Sequence, residues 1–210
     1  MSRYQDRNRE WIPRTSLGRM VQEGKITSLN EVFVEGYRIQ EHEIVDTLLP
    51  NLQQDVLDIN LVQKQTDAGE KSRFKALVVV GNYEGFFGLG VGKDKQVRAA
   101  IQKAVLDAKV NVVPVKRGCG SWECVCGEPH TVPFKVSGQC GSVRIHLFPA
   151  PKGLGVVAGD VAKKIITFVG IKDCWSRSFG STRTVPSFAY ATYDALKNTY
   201  RMVSPNDWMG

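Results

Sequence analysis

The sequence predicts an α+β fold arranged in two compact halves, and three observations carry that prediction. Runs of two-residue alternation, VLDINLVQKQT, SRFKALVVVG and GFFGLGVG, lead directly into a segment with a 3.6-residue apolar period. A stretch rich in glycine and cysteine with no period, KRGCGSWECVCGEPH, then interrupts the pattern. Beyond it, strand-like and helix-like segments resume, and 210 residues suffice for one large core or two small ones.

Residues 1–14 are polar, carry Arg3, Arg7, Arg9 and Arg14, and show no period, so they read as a flexible basic arm. Short helical signals fill 15–49, with Ser28 as a cap and Pro50 closing the stretch. In the first strand Leu57, Ile59 and Leu61 alternate with Asp58, Asn60 and Val62. Turns at 67–69 and in GNYEG join three strands into an antiparallel meander. The segment DKQVRAAIQKAVLDAKV follows, with Val97, Ala100, Ile101, Ala104, Val105 and Ala108 on one helical stripe. An α-β-β-β-α domain over 15–118 results, followed by a Cys-rich junction loop over 119–130.

The second domain, 131–203, is expected to run β-α-β-α before a tail at 204–210. VPFKVSGQCGSVRIHLFPAP supplies strands turning at Ser137-Gly138, and DVAKKIITFVG a helix stopped by Gly170. KDCWSRSFGS supplies a further strand. TVPSFAYATYDALKNTY supplies a helix capped by Thr184 with Pro186 in its first turn.

Composition excludes several classes. No apolar run approaches the roughly 18 residues of a membrane span, and MSRYQDRNREWIPRTS has no apolar core of a secretory signal, so a cytosolic protein is expected. Five cysteines without an export signal argue against a disulfide framework. The formal charge of +7 is unevenly placed. Seven acids face Arg38 alone between Glu31 and Asp58, whereas eleven Lys or Arg face five acids between Leu61 and Gly120. That segregation points to one surface held toward a polyanion and another that avoids it or meets a basic protein.

GFFGLGVG followed by Lys93 invites comparison with phosphate-binding loops. A P-loop needs glycine at position 87 and Ser or Thr at 94, and this chain has Phe87 and Asp94. A dinucleotide fingerprint starting at Gly88 or Gly90 finds Lys93 or Lys95 where its third glycine belongs. As a strand, the run sends Phe87, Leu89 and Val91 to a core and Gly88, Gly90 and Gly92 to a face of uncovered backbone. With Lys93, Lys95 and Arg98 at its end, and Phe86 offering a stacking surface, the strip is expected to seat RNA.

The run FKALVVVGNYEGFFGLGVGKDKQVRAAIQKA resembles the small-subunit ribosomal protein family S-five, with its A-L-V-V-V-G strand and G-x-G-x-G-K hinge into a helix. GLGVVAGDVAKKIITFVGIKDCWSRSFGS, continuing into FAYATYDAL, is similar to that family's second domain, and the N-terminal segment and CGSWECVCGEPH resemble its archaeal and eukaryotic members. The resemblance spans about 15–203. It implies a first domain similar to double-stranded-RNA-binding modules and a second domain of the ribosomal S-five type. It further implies contacts with ribosomal RNA near the mRNA entry channel, beside the proteins S-four and S-eight, and a part in subunit assembly and translational accuracy. The implied RNA contacts fall on Lys71, Arg73, Lys75, Gly88, Gly90, Gly92 and Lys93; Asp94 departs from the family's small residue.

Two alternatives stand beside this reading. A free-standing double-stranded-RNA-binding module would share the first domain. PAPKGLGVVA also resembles the P-x3-G-L-x-S-S-A loop of the galactokinase and homoserine-kinase superfamily. Val156 and Val157 replace its serines, and His42, His130 and His146 are isolated in sequence, so no enzyme is expected. Finally, Cys119, Cys124, Cys126 and His130 place four soft ligands within twelve residues, with Cys140 as a possible substitute. A structural zinc and free thiols are both open at this level.

Overall fold

The computed structural model describes residues 11–124 and 126–201, and its contacts divide the chain into compact units that meet at Pro50 and Asn51. The expected arm over 1–14 and the tail over 204–210 lie wholly or mostly outside the described residues.

In the first unit the helices are α1 (Ser16–Gln22), α2 (Leu29–Val34) and α3 (His42–Leu48). Each is shorter than the roughly 12–15 residues an isolated helix needs, so packing must hold them. Leu17, Val21, Leu29, Val32, Ile44 and Val45 provide a buried core. Thr15 and Ser28 cap α1 and α2 by accepting from the N–H groups of Gly18 and Glu31. Glu41, counted above among acids open to a basic partner, is already engaged: its carboxylate accepts from Trp11 Nε1 at 2.8 Å, Arg14 N at 2.9 Å and Thr15 N at 2.7 Å.

In the second unit β1 (Gln53–Thr66), β2 (Gly69–Gly81), β3 (Phe86–Asp94) and β4 (Val112–Pro114) form an antiparallel sheet in that order, with α4 (Val97–Val110) between the last two strands in sequence. A second sheet is built from β5 (Val136–Cys140), β6 (Val143–Pro149), β7 (Val156–Val157) and β8 (Cys174–Phe179), in the order β5-β6-β8-β7. Here α5 (Asp160–Val169) links β7 to β8, which run parallel, and α6 (Val185–Lys197) follows. The two sheets share one apolar core, with Leu77, Val79, Phe87 and Leu89 from the first and Val143, Ile145 and Leu147 from the second.

The other face of the first sheet lies under α4. Glycines 88, 90 and 92 advance two strand residues at a time, about 6.6 Å. Alanines 108, 104 and 100 retreat four helix residues at a time, about 6.0 Å. These steps nearly match, so the two rows stay in register along an antiparallel strand and helix. A Cβ built on Gly88 would stand 2.1 Å from Ala108 O, on Gly90 2.2 Å from Ala104 O, and on Gly92 2.2 Å from Ala100 O. Where β4 stops, α4 also closes the edge of β3: Val91 N donates to Asp107 Oδ2 at 2.8 Å, and Asn111 Nδ2 to Leu89 O at 3.4 Å.

The same device explains a misplaced turn. Ser137 and Gly138 lie inside β5, and the β5–β6 turn falls at Gly141-Ser142, with Gly141 at φ +60°. Gly138 instead faces α6, where a Cβ would meet Ala195 N at 2.2 Å and Ala191 O at 2.3 Å. Gly170 ends α5 in the left-handed conformation, as its sequence position implies. Strands β4 and β7, three and two residues long, are too short to show a period.

Gly90→Ala is expected to destabilise the chain by about 3 kcal/mol, the upper end for overpacking, because the obstacle is helix backbone. Urea unfolding should show a lower midpoint at unchanged slope.

Candidate nucleic-acid interface

The glycine strip requires a correction. Gly88, Gly90 and Gly92 are buried, and the bulky body that approaches their bare backbone is the chain's own helix α4. They are therefore unavailable to RNA. Phe86 is half-buried on that same side of the strand, some 23 Å along β3 from Lys93 at about 3.3 Å per residue, and does not join the cationic end.

What the structure does gather is a row of cations on the opposite face. Beyond the part covered by α4, β1 and β2 continue as a paired hairpin to Thr66 and Gly69, roughly 20 Å past Lys75. Register places Lys64 opposite Lys71, Val62 opposite Arg73 and Lys75 opposite Lys93. All of these project from the face that carries Leu77 and Leu89 further along, because side chains alternate and paired residues share a side. A groove of about 480 Å³ is lined by Val62, Gln63, Lys64, Thr66, Lys71, Arg73 and Lys93. A neighbouring one of about 200 Å³ is lined by Arg73, Lys93, Asp94, Lys95 and Lys103. Arg73 and Lys93 belong to both, so the two form a continuous cationic trough.

Lys64–Lys71 and Lys75–Lys93 are like charges set directly across a ladder, an arrangement that costs stability in the free chain. Among the described residues Lys64, Lys71, Arg73, Lys75, Lys93 and Lys95 form no ion pair. Arg98 is exposed on the first turn of α4 and lines neither groove. Lys64 was missed by the sequence reading, although it lies in a strand that reading recognised; the missing information was the hairpin register.

Asp94 does not cap α4; Gln96 is the N-cap residue and makes no side-chain cap bond. The Asp94 carboxylate binds Lys103 Nζ and accepts from Lys95 N at 2.6 Å. Lys103 first, and then the backbone N–H of Lys95, hold that carboxyl below the usual aspartate range. The trough thus has one carboxylate on its lining, and a lysine answers it.

A second constellation forms in the junction loop. Cys119, Cys124, Cys126 and His130 bring their ligand atoms within 4.8 Å of one another. Cys126 Sγ lies 3.5 Å from Cys119 Sγ, and Cys124 Sγ lies 3.7 Å from His130 Nε2. The bond from Cys126, with backbone N–H groups, draws the Cys124 thiol down to about 6, and the same bond to Cys124 pushes Cys126 up to about 11. His130 is buried, and its Nδ1 lies 2.8 Å from Asp173 Oδ2. Asp173, 43 residues away in sequence, had no signal that would have linked it to the cluster. Such a donor set suits a structural zinc. Cys140 belongs to β5, outside the cluster, and Cys174 is buried, which raises its thiol to about 12.

The second unit is thus an α+β body with two sheets on one core and a cationic trough along its first hairpin. Residues 52–116 match the family described as ribosomal protein S5, N-terminal domain, and residues 138–205 match ribosomal protein S5, C-terminal domain. The small ribosomal subunit protein uS5 of Metallosphaera sedula is 59% identical over 95% of this chain and 93% of its own length. That of Thermofilum pendens is 58% identical over 95% and 98%, and that of Pyrobaculum aerophilum 60% identical over 90% and 87%. The chain belongs to the ribosomal protein S5 family, a family of ribosomal structural proteins and not of enzymes.

The Asp94 carboxyl should titrate below the ordinary aspartate value of 3.8, and Lys103→Met should raise its midpoint. The lowered value means that the stabilisation from this pair is present above pH 3.8 and is lost as pH falls through the shifted midpoint. Carboxyl-detected NMR titration measures both.

Proposed function

We propose that this chain is a structural constituent of the small ribosomal subunit that binds ribosomal RNA through the trough lined by Lys64, Lys71, Arg73, Lys93 and Lys95, with Lys75 opposite Lys93 on the same face. The observation that carries this reading is the pair of like-charge cross-strand contacts, Lys64–Lys71 and Lys75–Lys93. Such pairs disfavour the free hairpin and are relieved when phosphates lie between them. The mode is charge neutralisation along a rigid ladder, in which phosphate contacts position the RNA. Arg98 extends the positive field from α4. On this reading the chain works in the cytoplasm within the ribosome, near the mRNA entry channel and beside the proteins S-four and S-eight. There it supports subunit assembly and translational accuracy.

The kinase-like alternative loses its phosphate loop. The N–H groups of Gly153 and Gly155 donate to the Asp173 carboxylate at 3.1 and 2.8 Å, so an internal anion already occupies them. The cluster of Cys119, Cys124, Cys126 and His130 is read as a structural metal centre, since four protein ligands leave no open position for chemistry.

Lys71→Glu and Lys93→Glu each turn a like-charge pair into an opposite-charge pair, so the double variant should be no less stable than the parent when free. Its RNA affinity should fall. The slope of log K against log salt should shrink by about 0.7–0.9 for each phosphate contact removed, and incorporation into subunits should drop. An unchanged salt slope with normal incorporation would overturn the assignment of this face.

A further inference from the structure

We propose that Cys119, Cys124, Cys126 and His130 hold one zinc ion, and that Asp173 is the positioning residue that selects the ligating tautomer of His130 and couples the metal to the loop at 151–155. The inference rests on the structural-metal reading above and extends it to a residue in neither the cluster nor the junction loop.

Geometry comes first. Tetrahedral zinc with Zn–S near ~2.3 Å and Zn–N near ~2.0 Å separates its ligand atoms by about 3.5–3.8 Å. Contacts of 3.5 Å between Cys126 and Cys119 and 3.7 Å between Cys124 and His130 have that scale, and the whole set lies within 4.8 Å. A disulfide between two of the thiols would leave the third thiol and the imidazole without a purpose. The loop also needs an internal tie. Among its described residues from 119 to 129 none is buried, and Trp122 is 90% exposed. Its base is pinned by the bridge between Gly118 and Thr131, with N–H···O distances of 2.9 Å in both directions. Between these ends no apolar core exists to order it, and metal coordination supplies that order.

Asp173 supplies the outer support. Its carboxylate and the His130 ring are both nearly inaccessible, at 5% and 4% exposure. The 2.8 Å contact with Oδ2 places the imidazole proton on Nδ1 and leaves the Nε2 lone pair toward Cys124. The other oxygen accepts from Gly153 N and Gly155 N, and the His130 carbonyl accepts from Lys172 N and Asp173 N. Lys152 adds a side-chain bridge to Glu128 at 2.7 Å. One continuous set of bonds therefore joins the cluster to the loop that precedes β7.

Asn at position 173 cannot reproduce this set. If its amide donates to Nδ1, the imidazole proton moves to Nε2 and blocks the ligating nitrogen. If its oxygen faces Nδ1, its NH₂ faces the N–H groups of Gly153 and Gly155.

The test uses the full-length chain purified without chelators. Elemental analysis should find one zinc per chain. Replacement by cobalt should give the ligand-field and thiolate charge-transfer absorption of a tetrahedral sulfur-rich site. Asp173→Asn should weaken zinc affinity about 10- to 100-fold in competition with a chromophoric chelator. Stripping zinc from the unaltered chain should speed hydrogen exchange at the amides of Gly153 and Gly155. Zinc well below one equivalent, with no cobalt spectrum, would overturn the metal centre and the coupling together. A full equivalent of zinc with unchanged affinity in Asp173→Asn, and unchanged exchange at 153 and 155 on stripping, would overturn the coupling while leaving the metal centre standing.

Discussion

Contact between the backbones of α4 and β3 is the constraint on which the first sheet depends. Side chains normally hold a helix about 10 Å from a sheet; here glycine on one surface and alanine on the other remove most of that spacer. The exchange is unfavourable for chain entropy and for strand propensity. It is tolerated because the strand step of two and the helix step of four nearly coincide, so a short run of small residues yields three successive close contacts. Because α4 sits so low, Asp107 and Asn111 reach the β3 edge and satisfy groups that β4 leaves open. Gly138 beneath Ala191 and Ala195 repeats the arrangement in the second sheet.

That constraint also decides which parts of the first sheet are covered. One side of β2 and β3 is closed by α4 and the other by the core shared with the second sheet, so these two strands emerge uncovered toward their far ends, while the edge strand β1 has no buried residue. The cations lie there, on a ladder whose spacing is fixed by hydrogen bonds rather than by loop conformation. A row of charges on a fixed backbone suits RNA phosphates better than lysines on loops, since little backbone order must be gained on binding.

Much of this was legible in the sequence, for identifiable reasons. The three long strands, α4, α5 and α6 follow from their periods and caps, and Gly170 and Ser28 serve as their positions imply. The sequence marks the glycine face as bare backbone, yet the body that covers it is α4 and not RNA. Alternation tells which residues share a face, but not whether an intramolecular or intermolecular body covers it. The alanine stripe at 100, 104 and 108 was the available clue, because a helix face made only of alanine needs a surface without side chains. Lys64 and Asp173 lay beyond reach. One depends on the hairpin register that pairs Thr66 with Gly69 and so sets Lys64 opposite Lys71, and the other on a contact spanning 43 residues.

The most direct test of the account is lysine-reactivity footprinting of native small subunits against the free chain, read at Lys64, Lys71, Lys75 and Lys93. Assembly should protect all four strongly, while Lys163 and Lys164 on α5 serve as internal comparison. Equal reactivity of the four in both states would contradict the claim that this ladder is the seat of the RNA.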